Sequence, residues 1–490
     1  MFPSDELLNA LQTSLASDLR RFVPELLISL AILLCLGSRA FRLGSRLHAS
    51  LLAVPFAIAA IALLCCQTTV EPREAFSGLL VLDPLANYLR GLLLIFAVLA
   101  LILGKLTGIP DRDDSADYVV LLLGGTLGMM LMTSANHLLM VFVGLEMASL
   151  PCYALAGFLK DRRTAGEAAL KYVIYGSAAS SVALFGISLL VISAGTGSLT
   201  GVATALTTKG FNPLAVVGLV MLLVGFAFKL SAVPFHFWCP DVFAGAAAEV
   251  GAFLSVASKT AAVGLILRVV LSIEHAATGC EFSQGLGVGL LIVAAITTTF
   301  GNLAALAQTD MKRMLAYSTI AHAGYMLMAI ATRSSEASSA VLFYLTAYLP
   351  TSLGAFAVVA VVRNRTGSET IEAFRGLLIR SPLLGVTTIL FFLSLLGLPP
   401  LAGFAGKFQV FVAIYDAGHI GGDLGRLYQI GLAIAIVNTV LGAGYYLRVV
   451  RAVTLDEPTG TWNAGKNHTA IGVYLLILTL AVVALGLTWG

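Results

Sequence analysis

Four lysines stand inside stretches apolar enough to be membrane spans: Lys171, Lys229, Lys259 and Lys407. A lone carboxylate, Glu146, stands in another. An ammonium near the centre of a bilayer costs about 2.5–3.5 kcal/mol on insertion scales. One such residue can be an accident of helix association. Ionisable groups of both signs at membrane depth are what a proton relay requires. A lysine exchanges protons near neutrality only when desolvation or a neighbouring cation offsets its usual preference for the charged form. Moving Glu146 toward or away from Lys229 would therefore switch that lysine's hold on a proton.

The segments around these residues sharpen the expectation. Span seven reads LLVGFAFKLSAVPFHFWCPDVFAGA, with Lys229 just before Pro234. Span twelve reads FFLSLLGLPPLAGFAGKFQVF, with Pro399 and Pro400 between Gly397 and Gly403 and then Lys407. Proline lacks the amide donor and clashes with the preceding turn, so both helices should break. Broken helices at membrane depth are tolerated where they are buried in protein or line a watery cavity. Two of them in corresponding halves point to an inverted-repeat transporter. Glu146 lies mid-span in HLLMVFVGLEMASLPCYALAGF, with Lys229 as its best cationic partner. Glu167 and Lys171 are four apart on one helix face, which fits either a local salt bridge or the mouth of the relay. Lys259 sits among small residues beside Thr260 with no local anion, so water is its expected partner. His322, in YSTIAHAGYML, titrates near neutrality and fits either a proton carrier or a hydrogen-bonded core residue. For His236, Tyr317 and Tyr325 packing is the weightier reading.

The elements that must position these groups follow from composition. Of the 490 residues, 58% are hydrophobic and 11% charged, against about 25% charged in soluble domains. The chain belongs in a bilayer, and without long charged tracts it is no nucleic-acid binder. Runs of about 20 apolar residues give fourteen spans, at roughly 22–37, 48–68, 84–104, 118–134, 137–159, 166–194, 212–239, 247–272, 284–306, 314–332, 337–362, 382–416, 424–453 and 468–489. They lack the period of barrel strands, so the fold class is all-α and polytopic. The expected organisation is an N-terminal unit of three helices over 1–117, a five-helix repeat over 118–272 and its inverted partner over 284–453. A last helix occupies 454–490, and helices seven and twelve are broken. Arg90 and the four span lysines lie within helices. The remaining 24 lysines and arginines divide seventeen to seven between alternate sets of loops. That asymmetry places both termini on the non-cytoplasmic side. Asp5, Glu6 and Asp18 are unlike the basic start of a signal peptide, so the first span is expected to be retained. All connecting loops are short, leaving no soluble nucleotide-binding or redox module.

Other signals carry less. The six cysteines include no CxxC pair and fall mostly in apolar spans, so neither a zinc nor an iron–sulfur site is expected. Gly285, Gly287 and Gly289 lack the strand–turn–helix setting of a phosphate loop. Asn467, His468 and Thr469 match a glycosylation pattern that is meaningless in a bacterial host.

The runs GLEMASLPCYALAGF, EAALKYVIYGSAASS, FKLSAVPFHFWCPDV, TDMKRMLAYSTIAHAGY, FRGLLIRSP and GLPPLAGFAGKF, in this order over about 118–450, resemble the antiporter-like membrane subunits of respiratory complex I, the proton-translocating NADH–quinone oxidoreductase. The resemblance implies Glu146 and Lys229 as a coupling ion pair, Lys259 as the central relay and Lys407 as the terminal donor or acceptor. Lys171 matches a further lysine of the family. Lysine at 407, where one member of the family has glutamate, and the absence of a long lateral helix narrow the match. It also implies no cofactor in this subunit: NADH, FMN, iron–sulfur clusters and quinone are expected in other subunits. Its partners would be the other membrane subunits, lipid, protons and water, in a bacterial inner membrane. An Mrp-type cation/proton antiporter subunit would use the same helices and lysines. A passive scaffold would leave the buried charges unexplained.

Overall fold

Each expected span is helical in the computed structural model, which describes residues 15–41, 48–67, 72–111, 113–208, 212–463 and 468–489. Arg42, Arg46, Arg112, Lys209, Lys466, Asn467, Asp5 and Glu6 lie outside the described residues, as does the side chain of His468. The first six spans are α1 (Val23–Ala40), α2 (Ser50–Cys66), α3 (Pro84–Thr107), α4 (Ser115–Ser134), α5 (Leu138–Ala156) and α6 (Arg163–Ala194). A short helix α7 (Leu199–Thr208) precedes span seven. That span is interrupted as its proline suggested, into α8 (Pro213–Leu230) and α9 (Trp238–Gly245). Then follow α10 (Ala248–Ala276), α11 (Glu281–Leu306), α12 (Met311–Ile330) and α13 (Ser335–Thr366). Span twelve is divided into α14 (Pro382–Leu396) and α15 (Ala402–Gly418), and α16 (Gly422–Thr454) and α17 (His468–Leu487) complete the chain. Among the described residues eleven helices are long and apolar enough to cross a membrane unaided. The other three spans fall short for visible reasons: α2 has 17 residues, α12 carries Lys312, Arg313 and His322, and span twelve is cut in two.

Local chemistry sets the helix ends. Asp83, ahead of Pro84, caps α3 by accepting the Ala86 amide at 2.7 Å. Asn212, ahead of Pro213, caps α8, and Asp310 caps α12 through the Arg313 amide. Such caps satisfy amides that helix geometry leaves without partners. Sequence reading did not find the small antiparallel hairpin between α2 and α3, β1 (Arg73–Ala75) and β2 (Leu80–Leu82), with Glu74 opposite Val81.

The loops settle into two groups. Residues that fourteen alternating crossings put on one side touch each other: Asn364 donates to the Thr107 carbonyl, Lys312 to that of Ala246, and Arg375 pairs with Asp456. On the other side Arg268 grips Asp83, Arg333 pairs with Glu274, and His137 bridges Ser198. The arrangement has the parity of fourteen crossings. Between the faces, α10 is buried along its whole apolar length and α13 almost so. A helix apolar all round with no lipid face is a core helix. Its polar residues therefore meet protein, not headgroups. Buried ion pairs tie this core: Glu249 of α10 receives a two-pronged contact from Arg363 of α13 at 3.0 and 3.2 Å. Glu25 of α1 meets Arg90 of α3 at 2.6 Å.

Candidate functional site

A break in a membrane helix exposes carbonyls that no amide of the same helix can reach, and the helix dipole makes that end negative. Lysines occupy both such ends, and a third caps the C-terminal end of the short helix α9. α8 stops at Ser231, which adopts a left-handed conformation (φ 62°). There Lys259 of α10 donates to Ser231 Oγ at 2.6 Å and to the Lys229 carbonyl at 3.3 Å, and its ammonium lies 4.9 Å from the centre of the Trp238 ring. α14 stops at Gly397 (φ 91°), and Lys407 reaches back to the carbonyls of Leu395 and Leu396 at 3.0 and 2.9 Å. α9 stops at Ala246, whose carbonyl accepts from Lys312 at 2.7 Å, while Glu369 balances that lysine's charge at 2.8 Å. The broken helices thus create anion-like seats, and ammonium groups fill them with no carboxylate among the described residues in ion-pair range of Lys259 or Lys407.

Lys229, Lys259 and Lys407 are buried, at 1%, 0% and 5% exposure. The expected partners differ from those found. Lys229 donates to Ser149 Oγ at 3.0 Å, and no carboxylate among the described residues lies within ion-pair distance of it. Ser149 follows Glu146 by three residues, so both stand on the face of α5 turned to Lys229 and the hydroxyl is the nearer group. Glu146 is half-buried, and its Oε1 has no hydrogen-bond partner. Lys259, expected to rest on water, rests on Ser231 and the end of α8. Lys171 is 38% exposed and is held between Glu167 Oε1 and Asp241 Oδ2, each at 2.8 Å; Arg313 holds the other Asp241 oxygen at 3.1 Å. These four charges face a 230 Å³ vestibule between α6, α9 and α12. The i,i+4 partner was legible in sequence; Asp241 was not.

A belt of hydroxyls links the region of Lys259 to that of Lys407. Ser255 of α10 meets Ser352 of α13 at 2.7 Å, and Tyr348 meets Thr319 at 2.9 Å. His322 is held on both ring nitrogens, Nδ1 by the Tyr344 hydroxyl at 2.5 Å and Nε2 by that of Tyr446 at 3.1 Å. Ser318 also contacts Tyr446. Thr351 meets Ser394 at 3.1 Å, and Ser394 accepts the Gly403 amide across the break. His322, Tyr344, Tyr348, Thr351 and Ser394 surround a void of 10 Å³, about the size that admits one water with several polar partners. Tyr325 is more than a packing aromatic, since the Lys407 ammonium lies 5.2 Å from the centre of its ring. His236 lies against the rings of Phe237 and Phe300, each with its centre 4.4 Å away and tilted to the imidazole. Single serines and threonines in apolar helices gave no signal in sequence; their meaning comes from which of them face each other.

A larger crevice, 870 Å³, lies between α8 and α11 and reaches Leu230, Ala232, Val233 and Pro234 at the break of span seven. Its lining is apolar but for Thr207, Cys280 and Glu281. Among the described residues no group of metal-ligating side chains gathers.

Comparison with known proteins agrees with this architecture. The family described as "NADH:quinone oxidoreductase/Mrp antiporter, TM" matches residues 135–424. A relative in an Anaeromyxobacter species, named NADH-quinone oxidoreductase subunit N, is 37% identical over 458 residues, covering 88% of this chain and 87% of its own. A chain of respiratory complex I from Thermus thermophilus superposes with a TM-score of 0.77 at 32% identity over 95% of this chain and 97% of that one. A chain of the Mrp complex of a Dietzia species superposes with a TM-score of 0.82 at 20% identity, over 96% of this chain and 94% of that one, and so shares the fold.

Proposed function

The chain belongs to the family of membrane subunits shared by NADH:quinone oxidoreductases and Mrp antiporters, and on that premise we propose that it is the proton-translocating, non-redox membrane subunit of an NADH–quinone oxidoreductase. The observation that carries the reading is the row Glu146–Ser149–Lys229–Lys259 and its continuation through His322 to Lys407. Lys229, Lys259, His322 and Lys407 are buried, each in reach of hydroxyls or helix-end carbonyls, and Glu146 stands half-buried on the α5 face beside Ser149. A packed core has no need of three ammonium groups at such cost. A relay needs groups that hold a proton reversibly and neighbours that pass it on. Lys259 and Lys407 rest on neutral oxygens and no carboxylate, an arrangement that lets an ammonium give up its proton without stranding an anion.

In this reading two repeats, 118–272 and 284–453, each contribute one broken helix. The lysine- and arginine-rich loops face the cytoplasm of a bacterial cell, and both termini lie on the opposite side. Lys171 marks the cytoplasmic mouth, Glu146 and Lys229 couple to a neighbouring membrane subunit, and Lys407 delivers or receives the last proton. NADH, FMN, iron–sulfur clusters and quinone act in other subunits, whose redox work arrives through contacts within the membrane. The Mrp alternative has the shared family and fold in its favour, whereas the relative matched over most of the chain carries the oxidoreductase name.

The test is Lys229→Ala in the assembled complex, reconstituted in vesicles with NADH and quinone. Proton translocation through this subunit should be lost. Full translocation by that variant refutes the reading.

A further inference from the structure

The vestibule and the relay are separated by aromatic rings, and the separation carries two unexplained hydroxyls. Trp238 and Asp241 share one face of α9, three residues apart; Lys171 and Tyr172 are neighbours on α6. The outer contact between these helices is Lys171 with Asp241. The inner one is Tyr172 stacked on Trp238, ring centres 4.2 Å apart, and Trp238 in turn covers Lys259. Tyr172 meets Tyr153 of α5 edge-on at 4.7 Å. Tyr153 follows Ser149 by four residues, so it stands on the α5 face from which Ser149 accepts the Lys229 proton. The order inward is therefore vestibule, Tyr172, Tyr153, Ser149, Lys229.

Both tyrosine rings have ample apolar contact, yet neither hydroxyl has a partner. Tyr172 is fully buried and Tyr153 is 5% exposed, and each Oη is a buried polar atom without a hydrogen bond. Oε1 of Glu146, on the same face of α5, is in the same state. Burying an unpartnered hydroxyl is costly, and proteins place ordered water at such groups. The backbone of α6 makes room for one of them. A side chain at Gly176 would overlap the Tyr153 hydroxyl, so a glycine there admits that hydroxyl to the helix interface.

We propose that the hydroxyls of Tyr172 and Tyr153, joined by ordered water, form the uptake link from the Lys171–Asp241–Arg313 vestibule to Lys229. The link rests on the relay reading above and names its route from the cytoplasmic face. Each hydroxyl gives its own proton to the next oxygen as it takes one from the last. Both tyrosines end as they began, one proton passes from vestibule water to the Lys229 amine, and no electron moves. The stacked rings keep the link to single file, so bulk water does not flood the lysines.

Tyr153→Phe, Tyr172→Phe and the double variant keep every ring and remove only oxygen. In the intact complex in vesicles, the double variant should assemble with a normal melting temperature and translocate protons about tenfold more slowly, the effect of losing a buried hydrogen bond to water along the path. Gly176→Ala should reproduce the Tyr153→Phe defect by expelling the hydroxyl. If it fails to assemble, the phenylalanine variants decide alone. A water-resolving map should show density joining the two hydroxyls that is absent in the double variant. An assembled double variant that translocates at the wild-type rate overturns the link. If Lys229→Ala is inactive beside it, the relay reading survives that failure; if Lys229→Ala is also active, both fall.

Discussion

Ser231 is the residue at which the broken-helix account makes its sharpest demand. It does two things: it ends α8 in the left-handed region, and its hydroxyl takes the shortest contact of Lys259, 2.6 Å. The two roles separate by substitution. Ser231→Ala keeps a β-carbon in the same strained backbone and removes only the oxygen. Ser231→Gly also removes the oxygen but relieves the left-handed strain, about 1–2 kcal/mol. A hydrogen bond to a charged group is worth about 1.5–3 kcal/mol. What remains around Lys259 is a 3.3 Å contact to the Lys229 carbonyl, at the long end of hydrogen bonding, and the Trp238 ring. Losing the Ser231 oxygen should therefore disfavour the protonated form of Lys259 by about 10- to 150-fold, as each 1.4 kcal/mol is a factor of ten. Proton translocation by complexes carrying Ser231→Ala and Ser231→Gly should fall by a similar factor, although the glycine variant should melt no lower than the wild type. Wild-type translocation by Ser231→Ala would show that the hydroxyl does not hold the carrier. Loss in Ala with full rescue by Gly would show that the backbone, and not the hydroxyl, matters.

Other outcomes follow from the same geometry. Gly397→Ala places a β-carbon 2.9 Å from Lys407 Cδ in a left-handed position; translocation should drop with little change in assembly, measured by subunit content and proton uptake. Glu249→Gln leaves Arg363 buried without its anion, which costs about 3–5 kcal/mol, and should appear as a lowered melting temperature of the complex. Asp83→Ala removes both a helix cap and the partner of Arg268. Its loss should exceed the ~1 kcal/mol of a cap alone, and Asp83→Asn, which keeps the cap, should recover part of it. Lys171→Ala should slow proton uptake more than it lowers stability, because that pair is solvent-facing.

The membrane spans and both breaks were legible because each depends on local chemistry: hydrophobic length for the helices, a missing amide for Pro234 and for Pro399 with Pro400. The lysines were legible because charge in an apolar run stands out. Their seats were not. Ser149 is 80 residues from Lys229 in sequence and Ser231 is 28 from Lys259, while carbonyl acceptors carry no sequence signal at all. The pairing of Glu146 with Lys229 came from charge and from the family resemblance, and the hydroxyl of Ser149 that Lys229 meets instead could not be seen without the helix faces. Glu25 with Arg90, 65 residues apart, and Glu249 with Arg363, 114 apart, escaped for the same reason. The hairpin at 73–82 escaped because three-residue strands show no period.

In the proposed relay, protons cross on buried lysines seated at broken helix ends. Its most direct test is the number of protons moved per NADH oxidised by complexes in which Lys259 is replaced by methionine, a side chain of similar length that cannot hold a proton. The expected ratio is lower by this subunit's whole share, with the complex fully assembled. An unchanged ratio in an assembled Lys259→Met complex would contradict it.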